Sequence, residues 1–233
     1  MLSVIIPVFN EKNTILKIIK KIENLKDLDK EIIIVDDCSN DGTKEILKKI
    51  SNPSYKILFH EKNLGKGAAI RTAKKYINGK IVIIQDADLE YDPNDYRKLI
   101  EPIKRNECKV VYGSRVLGKK RYFVKNFSSV YRIFFNHLLT IFSNVINKQN
   151  LTDAHTCYKT FTSELFSSVH LEEDGFSFCP EITTKISLKN IEIKEVSIEY
   201  FGRSYKEGKK IKLSDGIKAL LTLIKYRYFK KDE

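Results

Sequence analysis

The chain has 233 residues, of which 42% are hydrophobic, 11% aromatic and 31% charged. This composition is typical of a folded soluble protein, and the length fits one large domain that needs no disulfides. Four cysteines without CxxC or Cys/His spacing argue against a zinc module or a disulfide scaffold, and they favour the reducing cytoplasm. No apolar run reaches the ~20 residues of a transmembrane helix, and no signal peptide is expected.

Lys and Arg exceed Asp and Glu by 12, and the excess is localised. Residues 115–148 contain seven Lys or Arg and no acidic residue, and residues 203–231 contain ten against two. Such segments indicate an anionic partner: nucleic acid, a lipid surface or substrate phosphates. A basic surface that is only solvated is the alternative. Because no nucleic-acid-binding motif is present, we expect no nucleic-acid partner.

The first half of the chain alternates buried strand patterns with amphipathic helix patterns. The predicted strands are Ser3–Phe9, Glu31–Asp37, Tyr55–His60, Lys80–Gln85 and Lys109–Tyr112. The predicted helices are Lys12–Leu25, Gly42–Ile50, Lys66–Ile77 and Pro93–Lys104. Asp41 and Pro93 are typical helix-start residues. This alternation predicts an α/β fold with a mostly parallel sheet flanked by helices.

The second half is different. Val116–Asn150 is basic and aromatic with helical periodicity, and the segment Thr152–Phe161 follows without a predicted element. Further on come a helical pattern near Pro180–Leu188, a strand-like stretch Ile191–Tyr200 and a last amphipathic helix Ser214–Tyr228. With no repeat or linker, residues 1–233 are predicted to form a single domain with a C-terminal elaboration.

Polar residues collect where the predicted strands end. They are Asn10 and Glu11, Asp36 and Asp37, Asp86 and Asp88, and Gly113–Arg115. Ligands bind at the carboxyl ends of strands in open α/β sheets, so these residues predict a site. Helix capping is the alternative; it suits Asp41 better than the doubled carboxylates.

Two of these motifs have a specific chemistry. Asp86 and Asp88 can share a divalent cation that bridges to substrate phosphates, or one of them can meet a sugar hydroxyl. Asp36 and Asp37 suit a ribose hydroxyl or a base edge. The small-residue loop Asn63–Ala69, with its single cation Lys66, suits phosphate or base contact, or is a plain helix start. It matches neither GxGxxG nor a P-loop.

A longer set of segments has a recognisable order: SVIIPVFNE, IIIVDDCSNDGT, NLGKGAAIRTA, VIIQDADLEYDP and VVYGSR, then NHLLTIFSN, LTDAHTCYKTF, FSFCPEITTK, EVSIEY and the tail Arg203–Ile211. Each is a weak signal alone, but together they cover nearly the whole chain. The chain resembles the family 2 glycosyltransferases of the GT-A fold, and within them the dolichol-phosphate (polyprenyl-phosphate) sugar transferase group.

The resemblance implies a GT-A (Rossmann-like) sheet with a basic helical C-terminal elaboration. Residues 1–115 would bind the nucleotide sugar, and residues 116–233 would form the acceptor-side, membrane-proximal half. The implied activity is inverting, metal-dependent transfer of a sugar from a GDP- or UDP-linked donor to a polyprenyl phosphate or related lipid-linked acceptor. A hydroxyl acceptor, or a non-catalytic nucleotide-sugar-binding or scaffold protein, is the alternative.

The resemblance and the residue chemistry together define the predicted site. The nucleotide-binding residues are Pro7, Phe9, Asn10, Glu11, Asp37, Lys66 and Asp86. The ligands of a divalent metal, Mg²⁺ or Mn²⁺, are Asp86, Asp88 and Glu90. The catalytic residues are Asp88, Asp153 and Arg115, and the phosphate- and acceptor-binding residues are Arg115, Arg132, Arg203 and Lys209. Asp153 would be the base if the acceptor were a hydroxyl.

The chain departs from the family pattern at five positions: Phe9 replaces a common Tyr, Glu90 a Gln, Ala154-His155 a Met-Glu pair and Cys179 a Glu. His155 draws attention because it lies near Asp153 in sequence, whereas the cysteines are expected to be buried small apolar residues.

The basic aromatic stretch Lys119–Asn147 is typical of a helix at an anionic membrane surface, or of a helix packed on the sheet. We therefore expect peripheral attachment to the inner, cytoplasmic face of the membrane. A nucleotidylyltransferase is disfavoured because no Gly-rich, Arg-containing loop follows the first strand. A receiver domain would have its paired Asp after the first strand and about half this length.

Overall fold

The structure, a computed structural model, describes residues 1–118, 130–203 and 213–230, with side chains omitted at 130–132 and 213. Its strands are β1 (Leu2–Val8), β2 (Lys30–Asp36), β3 (Tyr55–Phe59), β4 (Ile81–Ile84), β5 (Val110–Ser114), β6 (Lys159–Thr162) and β7 (Lys194–Ser197). They form one sheet in the order β3-β2-β1-β4-β6-β5-β7. Only β6 among them runs antiparallel, so the carboxyl ends of the other six lie along one edge, called here the carboxyl edge.

The helices are α1 (Ile15–Glu23), α2 (Thr43–Lys48), α3 (Lys66–Lys74), α4 (Tyr96–Lys104), α5 (Val130–Asn147), α6 (Ser163–Ser168), α7 (Phe178–Leu188) and α8 (Leu213–Ile224). A 3₁₀ turn, Pro93–Asp95, precedes α4, and a π-helical turn, Lys225–Phe229, extends α8. None of the helices in the described ranges has the length and apolar character needed to cross a bilayer.

Helices cover both faces of the sheet because successive strand residues point to opposite sides. Val4 and Ile6 of β1 pack with α1, α2 and α4, whereas Ile5 packs with α3, α6 and α7. Burial on both faces explains the continuous Ile/Val runs of these strands. The predicted α/β fold, with a mostly parallel sheet flanked by helices, is confirmed.

Helix starts in the first half follow local hydrogen-bonding chemistry. Asp92 accepts a hydrogen bond from the Asn94 amide at 3.0 Å, and Pro93 is the first residue of the turn, as predicted. At α2 the cap position is Gly42, whose φ of 102° suits glycine, rather than the predicted Asp41. The Asp41 carboxylate still accepts from the Thr43 amide at 3.0 Å, so it stabilises the same helix start.

Strand β6 and helix α6 are the elements that the sequence did not predict. β6 lies between β4 and β5 and pairs antiparallel with both, so that Phe161 is opposite Val82 on one side and Val110 on the other. The four residues Lys-Thr-Phe-Thr have a single large apolar side chain. A strand this short and polar gives no apolar run, which explains why it was missed.

β6 also brings a lysine into the protein interior. Lys159 is fully buried; its Nζ donates to the Ala154 carbonyl oxygen at 3.0 Å and lies 3.4 Å from the centroid of the Tyr112 ring. Burial lowers the pKa of Lys159 to about 8. Because the charged form is disfavoured in the folded state, this amine makes stability depend on pH.

We expect the native protein to gain about 2 kcal/mol of unfolding free energy relative to Lys159→Met between pH 7.5 and pH 9.5. In that range the unfolded chain binds more protons at residue 159 than the folded chain does, so stability rises with pH. Urea unfolding at both pH values measures the gap, with the exposed Lys49→Met variant as the control for surface charge. A gap that does not change with pH would contradict a buried, titrating amine.

Candidate active site

The loops after β1 and β2 are tied together at the carboxyl edge. The Asn10 amide donates to Ser39 Oγ at 2.8 Å, and the Glu11 amide donates to Thr43 Oγ1 at 2.9 Å. Asn10 Oδ1 in turn accepts from the Asn40 amide at 2.9 Å. Asn10 adopts a positive φ of 52°, a conformation that asparagine tolerates better than most residues. These contacts fix the direction in which Glu11 leaves the sheet.

Two more residues of the predicted nucleotide loop lie beside this junction. Pro7 is a β1 residue paired with Val35, and Phe9 follows the strand; both are half-buried. β4 pairs with β1 only as far as Ile5, so no described β4 residue faces Pro7 in the pairing register. A proline is tolerated where the ladder needs no donor. Both residues therefore flank the carboxyl edge, as predicted.

Asp37 lies at the end of β2 and organises the glycine loop. Its carboxylate accepts from the amides of Leu64 at 2.9 Å and Gly65 at 2.7 Å. His60 Nδ1 lies 2.7 Å from the same carboxylate, and its Nε2 lies 2.9 Å from Thr72 Oγ1. Three of the four acceptor positions of this carboxylate are thus engaged inside the protein. Asp37 is consequently held rigidly, with one acceptor position left for a ligand.

The glycines of the loop allow α3 to approach the segment before α7. A Cβ on Gly65 would lie 2.5 Å from the Asp174 carbonyl oxygen, and one on Gly67 would lie 2.0 Å from that of Glu173. The Ala68 amide donates to the Asp174 carbonyl at 3.1 Å. Of the two interpretations of this loop, the plain helix start is therefore favoured over a phosphate cradle.

The lysine of that loop reaches the acidic motif. Lys66 Nζ pairs with Asp86, and both side chains are largely buried. Burial opposes ionisation of Asp86, but the charge of Lys66 outweighs it and lowers the pKa of the carboxyl group. Lys66 is therefore the counter-ion of Asp86, which places it in the predicted site.

The neighbouring carboxylate is in a different electrostatic environment. Burial, together with the charges of Asp86 and Glu90, raises the pKa of Asp88 to about 7. Its strongest counter-charge is Arg203, whose Nη2 lies 3.1 Å from Asp88 Oδ2. Carboxylates this close to one another need cations to remain ionised together.

Arg203 supplies much of that positive charge. Its guanidinium donates to both carboxylate oxygens of Glu11, at 3.0 and 3.1 Å, in addition to Asp88. The Arg203 amide donates to Glu90 Oε1 at 2.6 Å, and the Tyr200 hydroxyl donates to Glu90 Oε2 at 2.7 Å. Glu90 thus holds the backbone at Arg203 in place. We call Glu11, Asp86, Asp88 and Glu90 the acid cluster.

The acid cluster fits a divalent cation chemically. Its donors are all carboxylate oxygens, the ligands that Mg²⁺ and Mn²⁺ prefer. Arg203 already acts as a stand-in cation between Glu11 and Asp88. Within the described ranges, no three His, Cys, Asp or Glu side chains converge on a common metal position. Asp86 is paired with Lys66 and Asp88 with Arg203, so each of these carboxylates already has a counter-charge.

Arg115 and Asp153 form a second, separate ion pair. Arg115 Nε and Nη2 donate to the two Asp153 oxygens at 2.6 and 2.7 Å, and the Arg115 amide adds a third bond at 3.1 Å. Asn136 Nδ2 donates a fourth at 3.0 Å. Burial opposes ionisation, but Arg115 outweighs it and lowers the pKa of Asp153 to about 2. The guanidinium carbon also lies 5.1 Å from the Tyr200 ring centroid.

This geometry corrects the expectation that Asp153 serves as a general base. The carboxylate is fully buried, it accepts four hydrogen bonds, and its pKa is far below neutrality. A base must reach the proton that it removes and must have a pKa near the working pH. Asp153 instead orients Arg115.

Several site residues had no sequence signal. They are His60, Asn136, Glu195 and Tyr200, each an isolated polar or aromatic residue that tertiary packing brings to the site. Glu195 on β7, for example, accepts from the amides of Thr152 and Asp153 at 2.7 and 2.9 Å.

Two of the predicted phosphate-binding groups, Lys209 and the side chain of Arg132, lie outside the described residues.

The expectation of buried cysteines holds only for Cys179, since Cys38, Cys108 and Cys157 are partly exposed. A hydrogen bond with Cys157 lowers the pKa of the Cys179 thiol, beside Lys66. Burial lowers the pKa of His155 to about 4, so its ring is neutral at pH 7.

Comparison with known proteins gives a consistent picture. The model of glycosyl transferase family 2 matches residues 3–169. A dolichyl-phosphate beta-glucosyltransferase of Trichomonas vaginalis is 29% identical over 98% of this chain and 73% of its own length. A dolichol-phosphate mannosyltransferase of Pyrococcus furiosus is 30% identical over 78% of this chain and 52% of its own.

A solved structure confirms the fold. Glucosyl-3-phosphoglycerate synthase of Mycobacterium tuberculosis, crystallised with Mn²⁺, uridine diphosphate and phosphoglyceric acid, superposes with a TM-score of 0.67 and 18% identity. The alignment covers 100% of this chain and 80% of that one. The predicted GT-A fold is therefore confirmed.

Asp153→Asn is expected to lower the unfolding free energy by about 3–5 kcal/mol, because it leaves the buried Arg115 guanidinium without its counter-charge. Urea unfolding at pH 7 measures the change. Arg105→Ala, which removes an exposed pair with Glu101, is the control and should change stability by less than about 1 kcal/mol. Equal effects of the two substitutions would contradict a structural role for the buried pair.

Proposed function

The chain belongs to glycosyl transferase family 2, and from that premise we propose that it transfers one sugar, with inversion, from a GDP- or UDP-linked donor to a polyprenyl phosphate or a related lipid-linked acceptor. The observation that carries the proposal is the acid cluster, held in balance by Arg203 and Lys66 at the carboxyl edge. The alternative of a non-catalytic sugar-nucleotide-binding protein would not require this concentration of buried charge.

The donor half of the proposed site lies along β1, β2 and β4. Pro7, Phe9 and Asn10 flank the position proposed for the nucleoside. Asp37, which is fixed by its hydrogen bond from the Leu64 amide, lies at the same edge of the sheet. Asp86 and Asp88, with Glu90 nearby, would hold Mg²⁺ or Mn²⁺. When bound, the cation neutralises the charge that grows on the leaving diphosphate. Glu11 also belongs to this proposed site, where its carboxylate accepts two hydrogen bonds from the Arg203 guanidinium.

Arg115 is proposed to act on the acceptor side. Asp153 holds its guanidinium in a bidentate pair, and Tyr200 supports it from the ring face. A phosphate acceptor is already anionic, so it needs positive charge to hold it and no general base. The inaccessibility of Asp153 to a hydroxyl acceptor supports a phosphate over a hydroxyl. Arg132, Arg203 and Lys209 are proposed as further phosphate contacts.

A lipid-linked acceptor determines where the enzyme works. Its phosphate lies at a bilayer surface, so we propose peripheral attachment to the cytoplasmic face of the membrane. The curated relatives named for dolichyl-phosphate transfer support this acceptor class.

Asp88→Ala should lower transfer by at least about 10²–10³-fold, because it removes a carboxylate proposed to hold the cation that stabilises the leaving diphosphate. Release of nucleoside diphosphate from the nucleotide sugar, with a polyprenyl phosphate present, measures the rate. Asp27→Ala, at an exposed ion pair with Arg97, is the matched control and should retain activity. Full activity of a folded Asp88→Ala protein would contradict the assignment of Asp88 to the catalytic site.

Arg203→Gln is expected to raise the affinity for Mn²⁺ in the absence of nucleotide by about tenfold, because it removes the cation that the carboxylates hold in the native chain. Electron paramagnetic resonance of free Mn²⁺ measures the affinity without any turnover. Arg97→Gln is the surface control. An unchanged or weaker Mn²⁺ affinity in Arg203→Gln would contradict the role of Arg203 as a stand-in cation.

A further inference from the structure

Helices α5 and α8 each present an apolar stripe on the outside of the protein. On α5 the exposed residues are Phe134, Phe135, Leu138, Ile141 and Val145, and on α8 they are Ile217 and Leu221. We call these seven residues the α5–α8 surface. We propose that this surface inserts into the headgroup region of an anionic lipid bilayer and holds the carboxyl edge next to the membrane. The inference rests on the proposed lipid-linked acceptor.

Helix α5 turns an apolar stripe toward solvent, whereas an ordinary surface helix turns its apolar stripe toward the core. Phe134, Leu138, Ile141 and Val145 follow at intervals of four, three and four residues, which places them in one stripe on a helix. Val145 is 74% exposed and Ile141 is 47% exposed. A helix that only packed on the sheet would turn these side chains inward.

The inner face of α5, by contrast, includes polar residues. Its buried polar residues are Thr140, Ser143 and Asn147. Asn144 Nδ2 donates to the Leu151 carbonyl at 2.8 Å, and its Oδ1 accepts from the Leu151 amide at 3.0 Å. These bonds fix the rotation of the helix about its axis. The outward stripe is therefore specified by the fold and is not free to turn inward.

Helix α8 repeats the arrangement beside α5. Ile217 is 62% exposed and Leu221 is 60% exposed, whereas Ala219, Thr222 and Leu223 are buried. The helices α5, α7 and α8 pack against one another, and a Cβ on Gly216 would lie 3.8 Å from Leu139 Cδ1. The two stripes therefore lie on neighbouring helices. Exposed apolar patches of this kind mark interaction sites.

The charge near this surface selects an anionic bilayer over a second copy of the chain. The described part of α5, residues 133–147, contains no charged residue, and Lys148 and Lys218 are exposed nearby. The sequence before α5, residues 119–129, has four Lys or Arg and no acid, and residues 204–212 before α8 have four Lys and one Glu. Two copies joined here would bring like charges together, whereas anionic headgroups complement them.

The α5–α8 surface is linked to the proposed acceptor site by a direct hydrogen bond. Asn136, one residue after Phe135 on α5, donates to Asp153 at 3.0 Å, and Asp153 holds Arg115. The helix that would lie in the headgroup region thus also helps to orient the arginine proposed to meet the acceptor phosphate. A lipid phosphate held at the membrane surface would need such an arrangement to reach the donor without leaving the bilayer.

Vesicle co-flotation tests the inference with the full chain. Native protein is expected to bind vesicles of phosphatidylcholine with phosphatidylglycerol, and to bind pure phosphatidylcholine vesicles more weakly. Ile141→Glu and Leu221→Glu should each reduce the partition coefficient about tenfold or more, because a charge in the apolar stripe opposes insertion. Leu16→Glu, at a residue 51% exposed on α1, is the matched control and should bind like the native protein.

Vesicle binding that is unchanged in Ile141→Glu and Leu221→Glu would overturn the inference. So would a dimer in light scattering, without vesicles, that Ile141→Glu dissociates, because a second copy would then cover the surface. The same variants are also tested for nucleoside diphosphate binding with Mn²⁺. Lost vesicle binding with retained nucleotide binding supports the inference. Native protein that binds nucleotide but no vesicles contradicts this inference alone. Native protein that binds vesicles but no nucleotide contradicts the proposed function alone.

Discussion

Charge neutralisation at the carboxyl edge is the constraint on which the site depends. Six strands end along that edge, and the loops after β1 and β4 bring four carboxylates of the acid cluster close together. Buried carboxylates repel one another and lose their charge unless cations are placed among them, as the pKa of about 7 at Asp88 indicates. Lys66 and Arg203, which are far apart in sequence, meet this need. Their positions therefore follow from the electrostatics of the sheet edge.

The site contains two ion-pair systems, and we propose that one serves the donor side and the other the acceptor side. Arg203 is bound to the acid cluster through part-buried hydrogen bonds, whereas Arg115 is fixed by a fully buried bidentate pair with Asp153. Tyr200 touches both systems, since its hydroxyl donates to Glu90 and its ring faces Arg115. Tyr200 thus joins the acid cluster to the Arg115–Asp153 pair through two direct contacts. This connection is physical: it consists of contiguous contacts and needs no long-range pathway.

The sequence was informative where local pattern decides the structure. Continuous Ile/Val runs predict strands buried on both faces, and a parallel sheet then places Asp37 and Asp88 at one edge, as observed. It was uninformative where distant segments meet. β6 has no apolar run, and the pairing of Arg115 with Asp153 joins residues 38 positions apart, so the burial that removes Asp153 from base chemistry was not visible. His60 likewise gained its role only through its contact with Asp37.

We propose that the acid cluster binds a nucleoside diphosphate together with a divalent cation. Thermal unfolding of the native chain with UDP or GDP, each with Mn²⁺, with Mg²⁺ or with a chelator, tests it most directly, because a ligand that binds only the folded state raises its melting temperature. We expect the melting temperature to rise with one of the nucleotides, and we expect this rise to require the metal and to disappear with the chelator. A rise of the same size in the chelator, or none with any nucleotide and metal at saturating concentration, would contradict it.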